Sequence, residues 1–210
     1  MGMATSRKTS GRPKGFDPDE ALERAMRLFW AKGYDGVTIR DLTKTMGINR
    51  PSLYATFGSK EELFNKALDR YRESSFSSAS FTSQFTTVRA AVEAMLHTAA
   101  DFLANPGHPS GCLTVVAGLA GGDESRDVLK ALRSARARGF EVWRQRFARA
   151  QAEGEIPALP AADDLARYIM TVVTGMTVSA RTGATVEDLH RVADLAIWSW
   201  PLAYPITRAS

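Results

Sequence analysis

The sequence predicts an all-α chain of about nine helices. Apolar residues recur at spacings of three and four, the signature of one buried helical stripe. Ser, Thr, Asp or Asn stands before several of these runs and Gly or Pro after them, as helix ends require. No Asn-Gly or Asp-Gly pair separates alternating apolar runs, so hairpins are not expected. With 44% apolar and 24% charged residues over 210 positions, the chain has enough material for a real core, which excludes disorder throughout.

The first helix opens at Asp17-Pro18-Asp19-Glu20. Asp17 is the cap, Pro18 suits the first helical position, and Glu20 stands where a capping box wants a carboxylate. Leu22, Ala25, Met26, Phe29 and Trp30 form its inner stripe, and Gly33 ends it. Thr38, with Asp41 three residues on, starts the second; Ile39, Leu42 and Met46 face inward and Gly47 stops it. Asn49 and Pro51 open a short third helix to Phe57, which Gly58-Ser59 breaks. The fourth runs from Lys60 with Leu63, Phe64, Ala67, Leu68 and Tyr71 inside.

Glu73 to Thr87, rich in Ser, Thr and Phe, reads as a loop or weak helix extension and marks the boundary. Five further helices follow at about 87–104, 110–120, 125–153, 162–181 and 185–200, with Thr185 and Asp188 as another cap signature. The expected organisation is a flexible basic arm (1–15), a head of short helices (16–72) and a larger helical body (73–210).

Charge is unevenly divided. Residues 1–72 hold 14 Lys/Arg against 9 Asp/Glu, a net of +5, whereas the remainder nets −1. A basic head on a neutral body suggests a polyanion partner for the head. The longest nearly uncharged stretch, Tyr168 to Ala180, is 13 residues and contains Thr171, Thr174, Thr177 and Ser179, too short for the roughly 20 apolar residues of a membrane span. Arg7, Lys8, Arg12 and Lys14 precede no apolar run, so no secretory signal and no membrane partner are expected. A single cysteine, Cys112, fits a reducing cytoplasm.

Two short helices joined by a tight glycine turn form the minimal device for presenting a helix to double-stranded DNA. The second enters the major groove, roughly 12 Å wide, while the first crosses the backbone. Here Leu42, Ile48 and Leu53 would fix the crossing angle, leaving Arg50, Ser52, Tyr54, Ala55 and Thr56 on or near the outward face. Arg50 can reach guanine O6 and N7, Ser52 and Tyr54 suit phosphates or base edges, and Ala55 and Thr56 offer methyl groups to thymine. Lys60, with backbone N–H groups at the start of its helix, would hold a phosphate.

Thr38-Ile39-Arg40-Asp41-Leu42, Met46 to Tyr54, Phe57-Gly58-Ser59-Lys60 and Glu62-Leu63 resemble the N-terminal domain of TetR-family transcriptional regulators. The likeness spans residues 17–65 and includes the Gly33-Tyr34 turn. It implies a homodimeric, ligand-responsive DNA-binding protein, usually a repressor, with Thr38, Arg40, Arg50, Pro51, Ser52, Tyr54, Ala55 and Lys60 at an operator. Gly11-Arg12-Pro13-Lys14-Gly15 resembles the arms that place an Arg in a narrow minor groove; a dispensable tail is the other reading.

The body carries no such motif. Leu165, Ile169, Val172 and Met176 on one late helix, and Leu189, Val192, Ala196 and Trp200 on the next, are candidate dimer contacts, since two such helices per subunit form the interface in the resembled family. An intramolecular core is the alternative. Dimerisation matters because two recognition helices must reach half-sites about 34 Å apart. Phe64, Met95, Phe102, Leu113, Val116, Trp143, Phe147, Met170, Thr171 and Thr174 are candidates for a cavity holding a small, mostly apolar effector, or else plain core. Cys112 follows Ser110-Gly111 at an expected helix start, where the dipole can lower a thiol pKa; it is a candidate thiol sensor or a small buried hydrophobe.

An enzyme is not expected. His97, His108 and His190 are scattered, and the chain has no His-Glu-x-x-His pair, no P-loop and no Gly-x-Gly-x-x-Gly. No metal and no cofactor are called for. A non-specific architectural DNA binder is the weaker alternative, since it leaves the neutral body without a role.

Overall fold

The computed structural model describes residues 15–74, 82–119 and 126–199. Arg12, the arm around it and Trp200 lie outside these residues. The described residues form the helices α1 (Pro18–Lys32), α2 (Ile39–Met46), α3 (Arg50–Phe57), α4 (Lys60–Ser74), α5 (Val88–Leu103), α6 (Leu113–Leu119), α7 (Arg126–Ala152), α8 (Ala162–Arg181) and α9 (Val186–Trp198). A helical turn at 82–84 precedes α5, and no strand occurs among the described residues. No described helix is long and apolar enough to cross a membrane.

Caps fix most of the starts. The Asp17 carboxylate accepts from the Asp19 N–H at 2.9 Å, while Glu20 turns outward to Arg24 rather than back to the cap. Thr38 with Asp41 and Thr185 with Asp188 form reciprocal capping boxes at α2 and α9. The largest departure from the sequence reading is α6, which begins at Leu113 rather than near 110. Gly111 has φ of +81°, a left-handed conformation that interrupts a helix, and its N–H donates to the Leu103 carbonyl at 2.7 Å.

Two apolar cores result. One joins α1–α4 through Phe29, Trp30, Leu42, Leu53, Phe57, Leu63 and Phe64, and it also takes in Leu113, Ala117, Val128 and Leu132 from α6 and the start of α7. The other packs α5 against α7, α8 and α9 through Met95, Leu96, Trp143, Phe147, Ile169 and Leu189. Trp30 sits at their junction. Its indole N–H donates to the Gly111 carbonyl at 3.0 Å, and its ring lies 4.4 Å from His108, 4.9 Å from Tyr71 and 5.6 Å from Phe102. Arg27 reaches the Gly107 carbonyl at 2.9 Å and Arg181 the Ala31 carbonyl at 3.1 Å.

On α5 and α9, two histidines that sequence leaves 93 positions apart are hydrogen-bonded, Nδ1 to Nδ1, at 2.8 Å. His190 also meets Asp101 at 2.8 Å and His97 meets Asp194 at 3.4 Å, so the two helices are clamped by a four-residue polar chain. Among the described residues no group of three or more side chains could hold a metal ion.

Five of the eight dimer candidates need correcting, while Val192 stays exposed. Leu165, Ile169, Met176, Leu189 and Ala196 are buried within the subunit's own core, and Val172 is half-buried. The most apolar stripe of each helix is consumed by α5 and α7, because burial in one chain comes before burial between two. A second stripe stays outside: Tyr168, Val178, Val192, Leu195 and Trp198 are exposed, Leu195 at 65% and Trp198 at 75%. Gly175 shares this face, and a Cβ there would meet open space.

Replacing Trp30 with Phe should destabilise the chain by about 1–3 kcal/mol, the cost of leaving the buried Gly111 carbonyl without its donor. Urea denaturation followed by circular dichroism measures this. Stability equal to that of the parent would mean the indole hydrogen bond carries nothing.

Candidate nucleic-acid interface

The α2–α3 pair is built by its ends. Gly47 closes α2 in the left-handed region, φ 70° and ψ 30°, its N–H bonded to the Thr43 carbonyl; this turn redirects the chain into α3. Asn49 then caps α3, accepting from the Ser52 N–H at 2.8 Å, and Pro follows at an early helical position where no N–H is needed. Leu42, Met46, Leu53 and Phe57 are all buried, and Ile48 packs against them. The inward face is therefore entirely apolar.

The opposite face holds the sequence-predicted residues. Thr38, Arg40, Arg50, Pro51 and Ala55 are exposed, Ser52 is half-buried, and Tyr54 is 43% exposed, so neither Arg50 nor Tyr54 is spent on the core. The Arg50 guanidinium lies 5.7 Å from the Tyr54 ring centroid and 3.4 Å from its hydroxyl. This contact stiffens both side chains on the outer surface of α3. At the start of α4, Ser59 and Glu62 bond each other's backbone N–H groups, and the Lys60 ammonium sits 4.1 Å from the Tyr34 ring centroid. That aromatic contact, which spacing alone does not reveal, keeps the cation beside the helix-turn-helix. Arg12 lies outside the described residues.

Among the described residues most of the effector candidates divide between the two cores and one groove. Phe64 and Leu113 are fully buried in the head core, and Met95, Trp143 and Phe147 in the body core, each at 2% exposure or less. Their neighbours already fill the space around them, as close packing demands, so these five are corrected from cavity lining to core. Phe102 lies between the two cores beside Trp30, and Val116 is half-buried on α6. Met170, Thr171 and Thr174 do share a groove, with Arg136, Phe140 and Arg167, which sequence reading had not singled out. Cys112 stands just before α6, half-buried, accepting from the Tyr71 hydroxyl at 3.3 Å and lying 3.1 Å from the Thr114 hydroxyl.

Two outcomes are expected for the α2 frame. Gly47→Ala should cost about 1–2 kcal/mol in thermal or urea unfolding, because an L side chain resists left-handed backbone. The Thr38 hydroxyl and N–H hold the Asp41 carboxyl below its ordinary value of 3.8. Its contribution to stability is therefore present above pH 3.8 and lost as pH falls through the lower folded value. Asp41→Asn should flatten that part of the acid unfolding curve; an unchanged acid limb would contradict the assignment.

Residues 21–67 match the family described as "Bacterial regulatory proteins, tetR family", and residues 89–195 match "Transcriptional regulator LmrA/YxaF-like, C-terminal domain". The chain is 34% identical to the HTH-type transcriptional repressor ComR of Escherichia coli (strain K12), covering 93% of this chain and 94% of that one. It is 30% identical to the repressor BdcR of the same strain, covering 90% and 91%. Among solved structures, a cysteine mutant of the TetR family transcriptional regulator CifR, complexed with 26-bp double-strand operator DNA, superposes with a TM-score of 0.86. There the identity is 36%, over 91% of this chain and all of that one. These regulators are not enzymes. The exposed helix-turn-helix, the all-α body and the match across both halves place this chain in the TetR family of transcriptional regulators.

Proposed function

We propose that the protein is a homodimeric repressor that leaves its operator when a small, mostly apolar effector binds the body, and that it acts in the cytoplasm. The observation that carries the DNA half is the exposed Arg50–Tyr54 pair on an α3 whose other face is wholly buried. In this reading Arg50, Tyr54 and Ala55 address base edges, while Thr38, Arg40, Pro51, Ser52 and Lys60 position the head on phosphates. Arg12 would add a minor-groove contact. Residues from 16 to about 72 serve as the DNA-binding unit, and 73–210 as the ligand-binding and dimerisation unit.

The exposed stripe of Tyr168, Val178, Val192, Leu195 and Trp198 supports pairing of two copies through α8 and α9, with Gly175 allowing close approach. An effector that fits better when the heads are spread would shift the population away from the DNA-competent state. By linkage, DNA would weaken that effector equally. The route from body to head would run through α4, whose Tyr71 meets Cys112, and through the end of α1 at Trp30. A thiol-sensing version would act through that same contact, since oxidation of Cys112 would disturb Tyr71 directly. If Cys112→Ser retains full effector response, the thiol version is excluded.

Duplexes selected from a random pool by the full chain supply the operator for testing. Arg50→Ala should then cost about 1–3 kcal/mol at one base pair and relax preference there, and Lys60→Ala should weaken all duplexes alike and reduce the salt slope by about one unit. Leu195→Glu should yield monomers in sizing experiments and weaken operator binding. Full operator affinity in a monomeric Leu195→Glu protein would overturn the dimer mechanism.

A further inference from the structure

The groove between α7 and α8 has a cavity volume of about 320 Å³, at the lower end of volumes that hold small organic ligands. Its chemistry is uneven. Phe140 and Met170 pack on the body core and make an apolar floor. Arg136 from α7 and Arg167 from α8 form the rim, and Thr171 adds a hydroxyl. The Arg167 guanidinium lies 5.4 Å from the Phe140 ring centroid, a contact that consumes none of its N–H donors.

Neither rim arginine has a carboxylate within ion-pair distance among the described residues, although acids stand nearby. Glu141 is committed to Arg144 at 2.6 Å, and Asp163 lies 4.0 Å from the same guanidinium. Glu141 is held down to about 2 by those hydrogen bonds from Arg144 and Gln145, so it stays ionised and engaged there. From Arg126 to Arg138, α7 carries five basic side chains and one acid, Asp127. The groove thus combines an apolar floor, two guanidiniums without acidic partners and a net positive wall. Covering these guanidiniums with a neutral apolar molecule would desolvate charge without compensation. An anion attached to an apolar body offsets that cost through charge-assisted hydrogen bonds.

We propose that this groove binds a small amphipathic carboxylate, its anionic end between Arg136 and Arg167 and its apolar body on Phe140 and Met170. The proposal deepens the effector reading above and rests on it for its regulatory meaning, but its chemistry is measurable without DNA. Trp143, one helical turn beyond Phe140 and fully buried, has an indole N–H without a hydrogen-bond partner among the described residues.

Two probes of matched shape provide the test, 2-naphthoate and its uncharged counterpart 2-naphthamide, titrated calorimetrically into the full chain. The carboxylate should bind about tenfold or more tightly than the amide, and the ratio should shrink as salt is raised. Arg136→Gln with Arg167→Gln should abolish the ratio while leaving amide binding and operator affinity unchanged. Both arginines lie far along the chain from the DNA-facing residues, so retained operator affinity confirms that the variant is folded. A carboxylate preference that survives the double substitution would overturn the proposal, as would failure of both probes to bind at millimolar concentration. If the arginine-dependent preference is found but 2-naphthoate leaves operator affinity unaltered, the groove assignment stands and the effector-release reading falls.

Discussion

One indole ring joins the two halves of this subunit. Trp30 belongs to the α1 stripe that builds the head core, yet its donor is spent on the Gly111 carbonyl and its faces on His108 and Phe102 of the body. Arg27 and Arg181 add hydrogen bonds on either side, to Gly107 and from the body to Ala31. The last turn of α1 is thereby fixed to the loop before α6 and to the end of α8. Because interiors are close-packed and resist continuous deformation, displacement of either element must move α1 or break a buried contact. Head orientation, and with it everything that α3 can reach, depends on this junction.

Much of the head was legible from sequence because its determinants are local. Capping boxes, a glycine requiring a left-handed turn and stripes at helical spacing all lie within a few residues of each other, and α2 and α3 fall within a residue of their expected bounds. Burial of Leu42 and Leu53 follows from the same spacing. The body was less legible because its distinctions are non-local. An amphipathic pattern tells which face of α8 is apolar but not whether α5 or another subunit covers it, and the helix is apolar on two faces. Phe64 and Trp143 look alike as pocket or core until their neighbours are known. The pairing of His97 with His190, and of Arg136 with Arg167 across a groove, has no signal in spacing at all.

The groove and the exposed stripe share α8, one on the α7 side through Met170 and Thr174, the other outward through Tyr168 and Val178. Its inner stripe is the core itself. A single 20-residue helix therefore meets core, groove and solvent at once, and its C-terminal Arg181 touches α1. This arrangement lets small changes in the position of α8 register at several places without any flexible segment in between.

Leu113, Ala117, Val128 and Leu132 complete the head core from the far side of the α4–α5 segment. A cut after α4 would consequently remove part of the hydrophobic filling on which Phe29 and Phe64 rest. Chimaeras that graft this head onto a relative's body should carry α6 and the first turns of α7 along with it. The unit of exchange is spatial, and the chain crosses it twice.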